Sequence, residues 1–322
     1  MNKLLSLFKI SFLIVGIAAA LFYGKIQQIL QTKQSVPHEV IVQIPNGASL
    51  KQIAAILAEN NLVENADYFY WYAKFYKIYP NIKAGEYMVD HDVALKDMAD
   101  LLTGGKIYFR KITFPEGMTS AEFKQILSEN EFLSGEAADF PEGSVLPETY
   151  YFSRGQSRQS IVDQAQAALN KTLTEAWNAR NKDLPLKNPQ ELLILASIVE
   201  KETGVADERP QVASVFVNRL KKGMLLQTDP TVIYAVTLGK EPLNRPLRYK
   251  DLEIDSPYNT YKYAGLPPTP ICNAGRAAIM AAANPDKTPY LYFVASGTGG
   301  HNFARTLSEH NANVRQWRAV NK

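Results

Sequence analysis

Leu192-Leu193-Ile194-Leu195-Ala196-Ser197-Ile198-Val199-Glu200-Lys201-Glu202-Thr203-Gly204 is the stretch from which the chain is best read. It begins as an apolar run long enough for a buried helix and ends in two acids, a threonine and a glycine that stops the helix. A carboxylate buried at the end of such a helix is costly unless a site uses it. The raised pKa that burial brings is what a general acid at neutral pH requires. Residues two apart on an α-helix point about 200° away from each other, so only one of the two acids can face a given cleft. Glu202 shares a stripe with Ile198 and Leu195, and Glu200 with Ala196 and Leu193. Both stripes are apolar, so periodicity alone does not choose between the acids.

The 322 residues allow two or three domains, and a 46% hydrophobic content supports real cores. A net charge of +3 without a dense Lys/Arg block gives no footprint for nucleic acid. Cys272 is the single cysteine, which excludes a disulfide within the chain. His38, His91, His301 and His310 are scattered with no HExxH pair, so neither a metal nor a cofactor is expected.

Leu4 to Tyr23 is a run of 20 residues whose one charge is Lys9. A membrane-spanning helix needs about 20 apolar residues. Lys3 and Lys9 lead the run and favour an N-terminus inside the cell. Ala18-Ala19-Ala20 would suit a cleaved signal peptide, but Leu21-Phe22-Tyr23 continues the apolar run and favours an uncleaved anchor. Either reading exports the rest of the chain. Gln27 to Pro37 is polar and aperiodic, as in a tether.

A repeat follows. Ile44-Pro45-Asn46-Gly47-Ala48-Ser49 leads to Ile56-Leu57-Ala58-Glu59-Asn60, and Phe114-Pro115-Glu116-Gly117-Met118-Thr119 leads to Ile126-Leu127-Ser128-Glu129-Asn130. The matched prolines lie 70 residues apart with no gap across the match. Each copy reads as an alternating strand (Glu39 to Ile44; Tyr108 to Phe114), a Pro-x-Gly turn, a Ser or Thr N-cap and an amphipathic helix. Between them, residues 85–89 and 94–102 give a further strand and helix, closed by Gly104-Gly105. Units of this size resemble LysM-type glycan-binding modules. A duplicated α+β spacer with no glycan role fits the same pattern.

Further on, Phe140 to Phe152 reads as a Pro- and aromatic-rich connector, followed by a helix from about Ser160 to Arg180. Asn188-Pro189 opens the central helix. Residues 207–222 read as another helix, stopped by Gly223. Gln227-Thr228-Asp229-Pro230 combines a turn with close-packed polar groups. Residues 255–270 are dense in turn formers and tyrosines, which suit a cleft lining. A small-residue helix (275–283), an apolar strand (290–295), a glycine loop and the segment His301 to Asn311 complete the chain.

At Glu200-Lys201-Glu202-Thr203, Gln227-Thr228-Asp229-Pro230-Thr231 and Tyr258-Asn259-Thr260-Tyr261 the sequence resembles the YceG-like (MltG-type) endolytic murein transglycosylases. The resemblance extends over essentially the whole chain, including Thr288 to Val294 and the segment from His301 to Asn311. It implies an enzyme that cuts the glycan strands of peptidoglycan internally, between N-acetylmuramic acid and N-acetylglucosamine. The product would carry a 1,6-anhydro-muramoyl end, and glycan polymerisation at the inner membrane would stop there. The implied fold class is α+β: an N-terminal transmembrane helix, a LysM-like module and a lysozyme-like α+β catalytic domain. The expected layout is an anchor at 1–25, a linker at 26–37, the LysM-like module at 38–106 and the catalytic part at 107–322. The second strand-turn-helix copy occupies 107–133. Expected partners are the glycan strands, the membrane through a single pass with the catalytic domain in the periplasm, and peptidoglycan synthases.

Residue chemistry agrees with such a reaction. An ordinary glycosidase needs two carboxylates at controlled separation. A lytic transglycosylase needs one, which protonates the glycosidic oxygen and then takes the proton of the sugar's own 6-hydroxyl. That attack is intramolecular, so proximity supplies much of the rate. The resemblance, a Glu at a helix end followed by Ser or Thr, selects Glu202 as the catalytic acid. Glu200 then becomes a supporting or substrate-binding acid. Asn218, Gln227, Thr228, Asp229, Asn259, Tyr261 and Glu148 are the further candidates for holding substrate. Two rivals remain at this point. A hydrolytic muramidase would need a second carboxylate from Glu200, Asp229 or Glu148, and a non-catalytic scaffold would bind peptidoglycan through the repeats.

Overall fold

The computed structural model describes residues 2–297 and 299–320, with backbone only for 2–8 and 320. Met1, the first residue of the expected anchor, and Thr298 in the glycine loop lie outside the described residues. The fold is mixed α+β. In chain order its elements are α1 (Asn2–Gln31), β1 (Lys33–Gln34), β2 (Val40–Ile44), α2 (Leu50–Glu59), α3 (Ala66–Phe75), β3 (Gly85–Val89), β4 (Val93–Ala94) and α4 (Leu95–Gly104). They continue as β5 (Arg110–Thr113), α5 (Ser120–Glu129), β6 (Thr149–Phe152), α6 (Arg158–Asn178), α7 (Pro189–Glu202), α8 (Arg209–Lys221) and α9 (Asp229–Thr237). The last are α10 (Arg276–Ala283), β7 (Tyr292–Ala295), β8 (His301–Ala304) and α11 (Leu307–Val320). The chain divides into two units, Met1–Arg110 and Lys111–Lys322.

In the first unit, α1 contains one segment, Lys9–Gln31, long and apolar enough to cross a membrane. Residues 26–37, expected as a linker, are ordered differently: α1 runs on to Gln31 because Ile29 and Leu30 pack against the core, and Lys33–Gln34 pair with Val93–Ala94. β2 and β3 pair antiparallel, Val42 facing Tyr87 and Ile44 facing Gly85. Ile53 and Leu57 of α2, Phe69 of α3, Tyr87 and Met98 meet in one buried core. Glu86 is buried and held by a bidentate pair with Arg110, at 2.8 and 2.9 Å.

Matched positions of the sequence repeat adopt matched local structure. Gly47 and Gly117 both take left-handed backbone, at φ +75° and +78°, which a side chain would strain. Ser49 and Thr119 each cap the following helix reciprocally with the residue three positions on, Gln52 and Glu122. The two copies pair differently. β2 takes β3 as its neighbour, and β5 takes β6, a strand formed in the segment read as a connector.

The second unit is built around α7. Asn188 caps it by accepting from the Glu191 amide, and Pro189 occupies its first turn. Every residue from Leu192 to Val199 is buried, because α10, α8, α6 and α9 pack around the helix. The helix ends differently from the sequence expectation. Thr203 breaks it with extended backbone (φ −142°, ψ 127°), and Gly204 is not among the left-handed residues. Asp229-Pro230, read as a turn, is instead the start of α9, where proline at the first positions costs no hydrogen bond. α3 and α11 are two further helices that the sequence reading did not place.

Candidate active site

Burial of α7 delivers its last turn to two different environments. Glu200 has a side chain only 5% exposed. Its carboxylate accepts from the Gly275 amide at 2.8 Å and lies 3.6 Å from Arg209. Burial raises its pKa, and the Gly275 amide and Arg209 oppose the rise. Glu202 instead lines an open cleft of about 500 Å³. Burial also raises the pKa of Glu202, and the neighbouring Asp229 adds to the rise. Thr228, His301 and Arg219 act against it. The opposite faces assigned by helix geometry are therefore a tethered acid and a cleft acid.

A threonine lattice carries the cleft acid's main partner. Thr228 donates its hydroxyl to Glu202 Oε1. The Thr228 amide donates to Thr260 Oγ1 at 3.1 Å, and its carbonyl accepts from Thr231 Oγ1 at 2.8 Å. Thr231 and Thr260 share a hydroxyl contact of 2.8 Å. All three threonines are buried, so Thr228 is fixed on three sides. Its predecessor Gln227 sits at φ +47°, a left-handed value rare for a residue with a side chain. That turn lets the Gln227 amide reach the Thr260 carbonyl at 3.1 Å and leaves the side chain lining the cleft. Asp229 faces the same cleft and accepts from the Tyr261 hydroxyl at 2.6 Å.

The opposite wall comes from elements far along the chain. Phe216 and Arg219 of α8, Tyr292, Phe293 and Val294 of β7, and Leu307 and His310 of α11 line it. Arg219 is 8% exposed. Its guanidinium donates to the Leu291 carbonyl at 2.6 Å and the Leu226 carbonyl at 2.8 Å, so it ties β7 to the loop before α9. Its charge also lies over the Tyr292 ring, 5.1 Å from the centroid. Tyr292 and His310 stack with centroids 5.3 Å apart. Behind the wall, His301 Nδ1 meets Glu208 at 2.7 Å. Among the described residues, no group of three or more His, Cys, Asp or Glu side chains could hold a metal ion.

The sequence profile of the YceG-like family matches residues 42–316. This chain belongs to the YceG-like family. It is 35% identical to a protein of Bacillus subtilis (strain 168) named endolytic murein transglycosylase, over 93% of this chain and 89% of that relative. A protein of Streptococcus pneumoniae serotype 2 (strain D39) with the same name is 32% identical over 85% of the chain. The chain spans 58% of the length of that longer relative. A crystal structure of a YceG-like protein from Listeria monocytogenes aligns at a TM-score of 0.50 and 32% identity, covering 85% of this chain and 99% of that one.

In this YceG-like chain, Glu202, Thr228, Gln227, Asp229 and Tyr261 come together as the sequence grouped them. Three other candidates are placed elsewhere. Asn259 is fully buried, its amide donating to the Leu252 and Ile254 carbonyls while its side-chain oxygen accepts from the Tyr261 amide. It shapes the loop that presents Tyr261. Asn218 donates to the Thr288 and Tyr290 carbonyls at 2.8 and 2.9 Å, not to Glu202 or its own helix. Glu148 is exposed, and its carbonyl receives the Phe114 amide. Arg219 is absent from the sequence-based candidates, and Tyr292 and His310 are not singled out there as site residues. A charged residue on a helix looks like solvated surface in sequence, although Arg219 shares the apolar stripe of Val212, Val215 and Phe216, a spacing that points it inward.

Proposed function

We propose that this chain is an endolytic murein transglycosylase whose one reacting carboxylate is Glu202. The carrying observation is a cleft-facing acid at a buried helix end, with a raised pKa and a fixed hydroxyl partner. Family membership and the names of relatives at 32–35% identity support the substrate and the reaction class. The substrate is the peptidoglycan glycan strand, cut between N-acetylmuramic acid and N-acetylglucosamine.

In this reading Glu202 enters the reaction protonated. The acid donates its proton to the glycosidic oxygen as the C–O bond breaks, leaving positive charge on the muramoyl ring. The resulting carboxylate takes the proton of the same sugar's 6-hydroxyl, whose oxygen attacks the anomeric carbon and closes the 1,6-anhydro ring. Every proton is returned and no water is consumed. Thr228 holds the carboxyl in one rotamer through both steps. Gln227, Asp229 and Tyr261 supply polar contacts for sugar hydroxyl and N-acetyl groups along the cleft.

The N-terminal helix, long and apolar enough over Lys9–Gln31 to cross a membrane, serves as a single-pass anchor in the cytoplasmic membrane, with the catalytic part in the periplasm. The first repeat region acts as a LysM-like module and the second unit as a lysozyme-like catalytic domain. An anchored enzyme of this kind releases strands close to where synthases extend them, and so ends their polymerisation.

Mass spectrometry of glycan strands incubated with the full chain tests the reaction. Wild type is expected to leave anhydro-muramoyl ends and Glu202→Gln to leave none. Reducing ends from wild type would sink this reading in favour of a muramidase, with Asp229, the other carboxylate lining the cleft, as its second acid. Cleavage by Glu202→Gln would remove the role from Glu202.

A further inference from the structure

α3 is apolar on two sides. Phe69 and Ala73 face the core and are fully buried. Tyr68, Trp71, Tyr72, Phe75 and Tyr76 follow the i, i+3, i+4, i+7, i+8 spacing of a second stripe. Tyr72 packs against the edge of the core, but Trp71 is 60% and Phe75 79% exposed. A helix apolar all round belongs in a core or a membrane, yet Trp71, Phe75 and Tyr76 have no core over them.

α1 carries a matching stripe. Phe22, Ile26, Ile29 and Leu30 repeat at i, i+4, i+7 and i+8, and they line one apolar groove of about 400 Å³ together with the α3 aromatics. Ile29 and Leu30 also pack against the core of the unit, so the end of α1 is seated on that core. At 1.5 Å per residue, the 20-residue apolar run Leu4–Tyr23 is about 30 Å long. A bilayer's hydrocarbon core is about 30 Å thick. The turns of α1 that follow the run, with Ile26, Ile29 and Leu30 in the groove, therefore emerge into the headgroup region. Tryptophan and tyrosine concentrate at that depth, with ring in lipid and polar edge in water. Lys74 fits the same boundary, its ammonium lying 5.0 Å from the Trp71 ring centroid, where it can reach lipid phosphate.

We propose that the exposed stripe of α3 is a bilayer-docking surface: Trp71, Phe75 and Tyr76 insert into the outer interface of the membrane beside α1, and phospholipid fills the groove. The proposal rests on α1 spanning the bilayer. It gives the first unit a second membrane contact, which fixes its tilt where a single helix alone would leave it free to swivel.

The test uses the full chain reconstituted in vesicles of phosphatidylethanolamine and phosphatidylglycerol carrying a nitroxide quencher high on the acyl chain. Trp177→Phe and Trp317→Phe together leave Trp71 as the one tryptophan, excited selectively at wavelengths that tyrosine does not absorb. Should that pair fail to fold, the difference between wild type and Trp71→Phe isolates the same signal. Co-flotation with vesicles reports the anchor, and quenching reports α3. The expected result is co-flotation with loss of most Trp71 emission to the lipid quencher and little to aqueous iodide. Co-flotation with quenching by iodide alone overturns the docking surface and leaves the anchor standing. Shielding from both quenchers overturns it in favour of a second protein copy in the groove. Failure to float overturns both.

Discussion

Thr228 is the N-cap residue of α9, yet its hydroxyl turns away from that helix and donates to Glu202. Threonine at an N-cap ordinarily accepts from an amide of the first turn, a contact worth about 1 kcal/mol. α9 has no such side-chain cap. The hydroxyl is committed to the acid, and its effect on the acid has a known sign. It favours the carboxylate and so moderates the rise that burial produces, whereas Asp229 adds to that rise. Two consecutive residues thus set the proton affinity of Glu202 from opposite directions.

Thr228→Val keeps the shape of the side chain and removes only this contact, since the lattice bonds of Thr228 run through its backbone. Glu202 should then hold its proton to higher pH. The high-pH limb of kcat/KM, where the general acid is lost, should move up, with a fall in maximal rate of about tenfold or more from the loosened rotamer. Thr228→Ser should restore the limb. A limb that stays in place in the valine variant would show that Thr228 has no hold on the acid.

Asp229→Asn should move the same limb the other way. Removing the neighbouring negative charge makes ionisation of Glu202 easier, so the limb falls to lower pH. Anhydro products should persist, because Asp229 is occupied by the Tyr261 hydroxyl. Complete loss of cleavage at every pH would make Asp229 a second catalytic carboxylate and favour hydrolysis.

The legible parts of this molecule are those where one physical demand dominates the sequence. α7 could be read because it is buried throughout its middle, and the two repeat helices because their caps are spelled out as Ser49/Gln52 and Thr119/Glu122. α3 was missed because both its faces are apolar, so the usual contrast between core and solvent is absent. α9 was missed because Asp-Pro fits a turn and a helix start equally well. In the cleft, Gln227, Asp229 and Tyr261, which the family resemblance groups with Glu202, lie beside it, but the wall formed by Arg219, Tyr292 and His310 is not indicated by any motif. Its members are joined by packing between α8, β7 and α11, which no local spacing records. Asn259 shows the converse. An amide beside a tyrosine suggests a sugar contact, while its burial shows that it is used up on backbone carbonyls.

Glu200 and Glu202 should give opposite results when each is changed to glutamine. Both are raised by burial. For such a carboxyl, the protonated form is favoured by folding. The associated stability is fully present below the ordinary value of 4.5 and is lost as pH rises through the raised value. Glu202→Gln should therefore match wild type at low pH and exceed it at pH 8, by about 1–2 kcal/mol, while activity disappears. Glu200→Gln removes a charge paired with Arg209 and weakens the Gly275 contact. It should lose about 1–3 kcal/mol and keep the cleavage chemistry at temperatures where it remains folded. Melting curves across pH, read beside product formation, check both, and the reverse pairing would exchange their roles.

Arg219 joins two walls of the cleft through backbone carbonyls, a task that depends on the planar fork of its guanidinium. Arg219→Lys keeps the charge but cannot reach the Leu291 and Leu226 carbonyls together, so one buried acceptor is left without a donor. The cost should be about 2–3 kcal/mol, or roughly 4–12 °C in melting temperature for a unit of this size. KM should rise more than kcat falls, because β7 and the Gln227 loop lose their mutual register while Glu202 and Thr228 keep theirs. Thermal melts paired with steady-state cleavage of purified glycan strands measure both quantities. Wild-type stability in Arg219→Lys would mean that β7 is held by its strand pairing and α11 alone. The contacts of Arg219 with the two carbonyls would then have no energetic consequence.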